Sequence, residues 1–261
     1  MVTAAYNATL IERQDLNEDL SIVRVRPDEG RVPAFEPGQY TLIGLYTDEV
    51  RSSGEPRMMR RAYSLASSPA QTDALEFYLV RVREGQLTPG LWSVPVGGRV
   101  WLDPKPHGNF TLDAVPPHVD LVLVATGTGL APYISMLRKY LGRDRWRRLV
   151  IMHGVRTRGD LGYREEIEAA RRVDPSITYL PILSREPADS GWTGLRGRVQ
   201  DILVSGRFRV LTGEPLDPAR SYVFLCGHPE MIRTTSEQLA ARGFVPKSKD
   251  DPGSMHFEKY W

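Results

Sequence analysis

Arg61, Tyr63 and Ser64 have residue types and a spacing that suit the binding of a large, anionic, aromatic ligand. On an extended strand the side chains at positions i and i+2 share a face, so Arg61 and Tyr63 would present a cation and a flat ring together. The cation suits a pyrophosphate, and the ring suits a planar group such as a flavin. Ser64 adds a hydroxyl next to them. The alternative interpretation is a basic strand with one inward-facing tyrosine.

A second candidate site is Thr126-Gly127-Thr128-Gly129, which follows the apolar run 119–125 and precedes a helical segment. Glycines let backbone N–H groups approach a pyrophosphate, and the start of a helix adds positive potential. The spacing differs from G-x-G-x-x-G, so this is not the common dinucleotide fingerprint. The position after a buried strand nevertheless predicts a nucleotide-binding turn, with Thr126 and Thr128 in contact with the nucleotide.

Basic residues follow the next two predicted strands. Arg156 stands where many dinucleotide sites have an acidic residue for the ribose 2′-hydroxyl. Ser184 and Arg185 follow the strand after it, and Arg198 comes shortly afterwards. Because consecutive parallel strands place their carboxyl ends side by side, these residues can converge on one anion, which favours a 2′-phosphate. The alternative is that the three arginines are only solvated surface residues.

Two further segments near the end of the chain are candidates for ligand binding. Cys226 ends a predicted strand and is followed by Gly227-His228-Pro229, at the edge where ligands bind in open α/β sheets. A lone cysteine is more often a buried structural residue, and both interpretations stay open. The terminal Tyr260 and Trp261 would be an exposed liability unless they packed on a flat group, for which a flavin or adenine ring would serve.

The composition limits the class of protein. A length of 261 residues fits two domains, and 25% charged with 41% hydrophobic residues is typical of a globular protein. One cysteine excludes an internal disulfide and an iron–sulfur cluster held by four cysteines of this chain. The five histidines lack metal-ligand spacing, and the dispersed basic residues argue against nucleic acid. The absence of a leader pattern or long apolar run predicts a cytoplasmic protein without a membrane partner. We expect a monomer.

The two halves of the chain differ in periodicity and in charge. Short strands separated by Pro and Gly dominate the first half and predict a small antiparallel β-barrel, with one helix at 88–93. The predicted strands of this half are 21–25, 39–45, 62–66, 75–82 and 99–102. The second half alternates strands and helices, which predicts a doubly wound α/β domain. Its predicted strands are 119–125, 149–153, 177–183 and 222–226. Val115-Pro116-Pro117 marks the boundary, so the predicted domains are 1–115 and 118–261. The segment 1–117 has three more acidic than basic residues, and the remainder has five more basic than acidic residues.

Taken together, these segments give the chain a family resemblance over nearly its whole length. It resembles the bacterial ferredoxin–NADP⁺ reductases, in particular the subgroup that ends in Tyr-Trp. One departure is His228, where relatives often have Asn. The motifs that carry the resemblance are Pro37-Gly38-Gln39-Tyr40, Arg61-Ala62-Tyr63-Ser64, Gly85-Gln86-Leu87-Thr88, Ala125-Thr126-Gly127-Thr128-Gly129, Cys226-Gly227-His228-Pro229 and Tyr260-Trp261.

The resemblance implies an FAD-binding β-barrel domain, an NADP(H)-binding α/β domain and a role for each matching residue. Ser64 would bond near the reactive N5 of the flavin, and Cys226 and Glu258 would line the nicotinamide pocket as polarising and proton-relaying groups. The implied FAD-binding residues are Arg61, Ala62, Tyr63, Ser64, Tyr78, Val80, Gln86, Leu87, Thr88, Tyr260 and Trp261. The implied NADP(H)-binding residues are Thr126, Thr128, Arg156, Ser184, Arg185 and Arg198.

The implied activity is hydride transfer between NADPH and non-covalently bound FAD, followed by one-electron exchange with ferredoxin or flavodoxin. Arg51, Arg57 and Arg60 are candidates for docking such acidic partners, although solvated loop arginines are the alternative. An oxygenase-reductase component or a flavin or quinone reductase is a second interpretation. A flavin-binding sensor without turnover is a third.

Overall fold

The computed structural model describes residues 5–50, 52, 54 and 56–259, apart from the side chains of Asp48 and Lys259. The chain forms two compact units. Unit 1 is Met1–Thr111 with Ile134–Lys139, and unit 2 is Leu112–Tyr133 with Tyr140–Trp261.

Unit 1 is an antiparallel sheet that closes on itself. Its elements are β1 (Ala8–Asn17), β2 (Leu20–Pro27), β3 (Tyr40–Val50), β4 (Pro56–Ser64), β5 (Leu75–Val80), α1 (Thr88–Ser93) and β6 (Arg99–Leu102). The six strands lie in the order β4-β3-β6-β1-β2-β5. A bridge between Leu65 and Phe77, with a hydrogen bond of 2.9 Å from the N–H of Ala66 to the carbonyl of Glu76, joins the chain after β4 to β5. The two outer strands therefore meet, which confirms the predicted barrel.

Alternating side chains of these strands fill the barrel. Ile43, Leu65, Leu75, Phe77 and Val100 are each at most 1% exposed and belong to one apolar cluster. Because successive residues of a strand face opposite sides, the residues between them lie on the outer face of the barrel.

One part of that outer face is covered by the helical segment Ile134–Lys139. Arg138 pairs with Glu76 of β5 at 2.7 Å, and the Ser135 hydroxyl donates to the carbonyl of Ser67 at 2.6 Å. Lys139 pairs with Glu36. The three polar contacts fix this segment as a part of unit 1.

Unit 2 contains a parallel six-stranded sheet. Its elements are β7 (Val119–Thr126), α2 (Ala131–Tyr140), β8 (Trp146–Val155), α3 (Arg164–Val173), β9 (Ile177–Leu183), β10 (Leu195–Arg196), α4 (Val199–Leu203), α5 (Gly206–Thr212), β11 (Ser221–Gly227), α6 (Pro229–Ala240) and β12 (Met255–Lys259). The strands lie in the order β10-β9-β8-β7-β11-β12. The apolar residues in the middle of β7, β8 and β11 are buried, as expected for strands covered on both faces. The fold confirms the predicted α/β domain.

Two edges of this sheet differ in their charge chemistry. At the amino end, the fully buried Asp120 pairs with Arg147 at 2.6 Å and Arg148 at 2.9 Å. A buried carboxylate needs such partners, because an unpaired buried charge is strongly unfavourable. The arginines at this edge therefore serve the fold, which leaves those at the carboxyl edge as candidates for ligand binding.

None of the helices in the described part of the chain is long and apolar enough to cross a membrane.

Candidate functional site

The outer end of β4 brings together two of the predicted FAD-binding residues. Arg61 follows the buried Met59 by two positions, and its Nη1 contacts the Met59 sulfur at 3.0 Å. The Arg61 Nη2 donates to Oε1 of Gln86 at 3.3 Å. Both polar groups are exposed, so a cation and an amide that lie 25 residues apart in the chain stand side by side on the surface of unit 1.

Tyr63 and Ser64 lie at the end of the same strand. Tyr63 is half-buried against the barrel core, and Ser64 is buried. Burial raises the pKa of the Tyr63 hydroxyl above its usual value, and the nearby Arg61 opposes that rise. The phenol is therefore neutral at any ordinary pH, as a ring that stacks on a planar ligand should be.

The segment that carries Gln86 is a tight turn before α1. The Thr88 hydroxyl donates to the carbonyl of Val82 at 3.0 Å and accepts from its N–H at 2.9 Å. Leu87 is buried in the barrel cluster. A Cβ on Gly85 would lie 2.9 Å from the Val82 carbonyl oxygen, so the turn has room for glycine only. Thr88 and Leu87 thus anchor the turn, and Gln86 projects from it.

The remaining predicted FAD-binding positions lie on β4 and β5. Ala62 is exposed and pairs with Leu42. Tyr78 and Val80 share the outer face of β5 with Glu76, where Tyr78 is buried and Val80 is half-buried. Their contacts with FAD stay predictions.

The arginines predicted to dock a partner have distinct surroundings. Arg57 pairs with Glu49 at 2.6 Å, and the Arg60 guanidinium lies over the Trp101 ring at 3.9 Å from its centroid. Arg51 is outside the described residues. Arg60 and Arg61 are neighbours in the sequence, but they project to opposite sides and have different partners.

In unit 2, the turns after β7 and β11 interlock. The Thr126 hydroxyl accepts a hydrogen bond of 2.8 Å from the N–H of His228. A Cβ on Gly129 would lie 2.3 Å from the Cys226 carbonyl oxygen, and one on Gly227 (φ +130°) would lie 2.3 Å from the Thr126 hydroxyl. Only glycine permits these approaches. The glycine turn 126–129 is therefore held in place at the carboxyl edge, where α/β sheets bind ligands.

His153 also contacts this turn, a role that the sequence did not suggest. It is fully buried on β8, with Nε2 3.1 Å from the Gly127 carbonyl oxygen and Nδ1 3.4 Å from the Tyr179 hydroxyl. Burial lowers the pKa of His153 to about 4. The sequence does show a polar residue at the end of an apolar run. A search for histidines at metal-ligand spacing does not detect such a residue.

The predicted 2′-phosphate residues lie on adjacent backbone segments. The N–H groups of Ser184 and Arg185 donate to the carbonyls of Val155 and Arg156, at 3.0 and 2.8 Å. Gly197 N–H donates to the carbonyl of Leu183, which places Arg198 beside the same edge. The side chains of Arg156, Arg185 and Arg198 are exposed, and the described residues offer them no ion pair.

The neighbouring Arg196 is different. Its guanidinium donates to the carbonyls of Glu186, Pro187 and Trp192, so it secures the loop that follows β9. Glu186 in turn accepts from the N–H of Arg158 at 2.8 Å, a hydrogen bond that lowers the pKa of its carboxyl group. These contacts fix the loop after β9, whereas the side chains of Arg156, Arg185 and Arg198 are exposed.

Cys226 and Glu258, the two predicted nicotinamide-pocket residues, are register partners on the parallel strands β11 and β12. Cys226 is fully buried and Glu258 is half-buried. Their catalytic roles, and that of Ser64, stay predictions. Tyr260 and Trp261 lie outside the described residues.

Comparison with known proteins agrees with this architecture. Residues 123–237 match the family model described as an oxidoreductase NAD-binding domain. The flavodoxin/ferredoxin–NADP reductase of Escherichia coli (strain K12) is 36% identical over 231 residues, which cover 87% of this chain and 88% of that protein. A ferredoxin NADP⁺ reductase structure from Neisseria gonorrhoeae with bound FAD and NADP superposes with a TM-score of 0.84 at 23% identity, covering 98% of each chain.

An Amycolatopsis cytochrome P450 reductase structure is also similar, with a TM-score of 0.74 and 29% identity over 98% of this chain and 69% of that one. The barrel, the parallel sheet and the interlocked glycine turns define a two-domain oxidoreductase. The chain belongs to the flavodoxin/ferredoxin–NADP reductase family.

Proposed function

We propose that this protein holds FAD on unit 1, takes NADPH on unit 2 and exchanges electrons with a ferredoxin or flavodoxin. The single observation that carries the proposal is the contact of Arg61 with Gln86 beside the half-buried Tyr63. The predicted domain ranges, 1–115 for FAD and 118–261 for NADP(H), belong to the same proposal.

The side chains on unit 1 have the chemistry that FAD requires. An exposed guanidinium and an amide suit a pyrophosphate, since charge-assisted hydrogen bonds are the strong ones. The neutral Tyr63 ring offers an aromatic face. Bound FAD would supply the hydride-accepting and one-electron chemistry. The role of Arg61, Tyr63 and Gln86 is to bind and orient it, while the Ser64 hydroxyl offers a hydrogen bond to the ring.

The carboxyl edge of unit 2 has the chemistry that NADP(H) requires. Gly127 (φ +53°) has open space around the position of a Cβ, so a ligand can approach the backbone there. Three exposed arginines on adjacent segments provide positive charge for a 2′-phosphate. The task of these residues is to place the nucleotide, and positioning of the reacting groups accounts for much of catalysis in such enzymes.

The electron acceptor in this proposal is an acidic protein, a ferredoxin or a flavodoxin. Its recognition would use Arg60, which is exposed and held over Trp101, and to a lesser degree Arg57, whose charge Glu49 partly offsets. Charges of this kind act chiefly on association rates. We also infer a monomer in the cytoplasm, which gel filtration and cell fractionation would test.

The decisive test is reduction of ferredoxins and flavodoxins from the native organism by NADPH in the presence of catalytic amounts of the protein. We expect rapid reduction of at least one, with rates that fall steeply as salt rises. A protein that oxidises NADPH but reduces none of them would contradict the assigned acceptor.

A second candidate is the reductase component of an oxygenase, which the 29% identity with the Amycolatopsis structure favours. This chain matches 69% of that longer chain. The same assay discriminates the two, because an oxygenase component would then be the better acceptor and the flavodoxins would be poor ones.

A further inference from the structure

His153 is a buried polar residue in an otherwise apolar part of the sheet. Its register partners are Ala125 on β7 and Pro181 on β9, and its side chain is 0% exposed. Buried polar groups are almost always hydrogen-bonded, and each has to be explained by its partners. The partners here are the Gly127 carbonyl and the Tyr179 hydroxyl.

These two contacts fix the tautomer of the imidazole. A carbonyl oxygen only accepts, so the His153 Nε2 at 3.1 Å must carry the proton and donate to Gly127. The Nδ1 then accepts from Tyr179, whose hydroxyl keeps its proton because burial raises its pKa. The pKa of His153 is lowered to about 4, so the ring is neutral near pH 7 and carries a proton on only one of its two nitrogens.

The contact orients the glycine turn. In a trans peptide the C=O and the following N–H point in opposite directions. Because His153 holds the Gly127 carbonyl, the N–H of Thr128 is directed away from the buried imidazole. The left-handed φ of +53° at Gly127 makes this orientation possible, and a Cβ there would meet nothing within 4 Å.

The turn is held from two sides. On the β11 side, Thr126 accepts from His228 and Gly129 packs on the Cys226 carbonyl. On the side of β8 and β9, His153 of β8 contacts the Gly127 carbonyl, and the Tyr179 hydroxyl of β9 contacts the other nitrogen of the imidazole. Residues Gly127–Leu130 form one turn of 3-10 helix, so loss of the imidazole donor would loosen the Gly127 carbonyl at the start of this turn while leaving the β11 side in place.

We propose that His153 is a positioning residue for the nucleotide: its Nε2–H holds the Gly127 carbonyl inward and so presets the 127–129 turn for the pyrophosphate of NADP(H). The inference rests on the proposed function of unit 2. Tyr179 fixes the tautomer and acts through His153.

The test uses the FAD-loaded protein and a matched pair of variants, H153Q and H153N. A glutamine amide can reach the place of Nε2 and donate to Gly127, whereas an asparagine amide reaches only the place of Nδ1. The probes are NADP⁺ and 2′-AMP, which share the 2′-phosphate but differ in that 2′-AMP lacks the pyrophosphate. Dissociation constants are measured by calorimetry, together with KM and kcat for NADPH.

We expect H153N to bind NADP⁺ about 10-fold more weakly, the size of one net hydrogen bond. Binding of 2′-AMP, the flavin spectrum and kcat should stay within about twofold of wild type by the same reasoning. H153Q should recover most of the NADP⁺ affinity. This pattern distinguishes positioning of the turn from a general structural role, because a structural role would weaken the binding of both NADP⁺ and 2′-AMP.

Three results would overturn the inference: unchanged NADP⁺ binding in H153N, an equal loss for both probes, or no recovery in H153Q. A wild-type protein that binds neither probe would instead overturn the proposed function, and the inference with it. Should the variants fail to fold, imidazole ¹⁵N spectra of the wild type decide the question. The proposal requires an Nε2–H tautomer whose resonance shifts with NADP⁺ and not with 2′-AMP, and a resonance insensitive to NADP⁺ would overturn it.

Discussion

Arg61 Nη2 lies 3.3 Å from Oε1 of Gln86, so the guanidinium on β4 and the amide before α1 form one exposed polar group. Arg60, its neighbour, lies over the Trp101 ring instead. The alternation of the strand thus gives two adjacent arginines different surroundings, and we propose that Arg61 binds the cofactor and that Arg60 contacts a protein partner.

Replacement of Arg61 should loosen FAD. We expect Arg61→Ala to weaken FAD binding by about 10-fold or more, because a charge-assisted contact to the pyrophosphate is lost. The measurement is FAD retention after gel filtration, followed by titration of the apoprotein. Arg60→Ala is the matched control on the same strand and should keep its FAD. Equal retention in the two variants would argue against the pyrophosphate assignment.

The preference for NADPH should depend on Arg156 and Arg185. Hydrogen bonds to charged groups contribute about 1.5–3 kcal/mol each, and two of them, at the low end of this range because both arginines are exposed, correspond to roughly 100-fold discrimination in kcat/KM. The double variant Arg156→Ala, Arg185→Ala should raise the KM for NADPH and leave NADH turnover almost unchanged. Arg172→Ala, which removes an exposed arginine from α3, should alter neither. A parallel loss with both nucleotides would show that the two arginines support the fold.

Much of the fold follows from the sequence because strong local signals agree with it. β6 and β9 begin and end at the predicted residues, and α1 does as well. β4 begins six residues before the predicted segment 62–66, since pairing with β3 continues back through Met58 and Met59. β1 was not predicted, because Glu12, Arg13 and Asp15 interrupt its apolar pattern and its stability comes from pairing with β2 and β6.

The candidate site was predictable where its residues form motifs and less so where they act through tertiary contacts. β12 was missed because its residues follow a polar segment, and it becomes a strand only through parallel pairing with β11. The contact of His153 with Gly127 joins β8 to the turn after β7, and the local sequence shows only a polar residue at the end of an apolar run, without indicating its partner. Arg196 binds backbone carbonyls, whereas Arg198 is exposed. This difference likewise depends on the loop after β9, which the sequence alone does not specify.

Stability should fall in mild acid because two buried histidines resist protonation. Burial lowers the pKa of His153 and of His256 from 6.5 to about 4 in the folded state. Between these values the unfolded chain binds protons that the folded chain does not, so each histidine removes up to about 1.4 kcal/mol of unfolding free energy per pH unit as the pH falls. The contribution is fully present above pH 6.5.

Urea unfolding at about pH 7 and about pH 5 measures this effect. His153→Gln removes one of the two titrating groups and should therefore lose less stability over the same interval than the wild type. If the unfolding free energy changed by the same amount between the two pH values in both proteins, the assignment of part of this pH dependence to His153 would be wrong.

Removal of the terminal Tyr260 and Trp261 should change cofactor handling more than the fold, because terminal residues seldom anchor a core. If they cover the cofactor, each contributes roughly 0.5–1.5 kcal/mol of aromatic stacking beyond burial. FAD affinity and the NADPH/NADH ratio of the truncated protein are the quantities to compare. A lower thermal stability with unaltered kinetics would mean that the two residues only pack against the protein.

The most direct test of the account is an anaerobic titration of the purified protein with NADPH, followed in the visible absorption of the flavin. We predict that the protein is yellow as isolated, that about one equivalent of NADPH bleaches it and that an equal amount of NADH does so far more slowly. Subsequent addition of oxidised flavodoxin or ferredoxin should restore the colour. A colourless protein that does not take up FAD, or a flavin that NADPH leaves oxidised, would contradict the account.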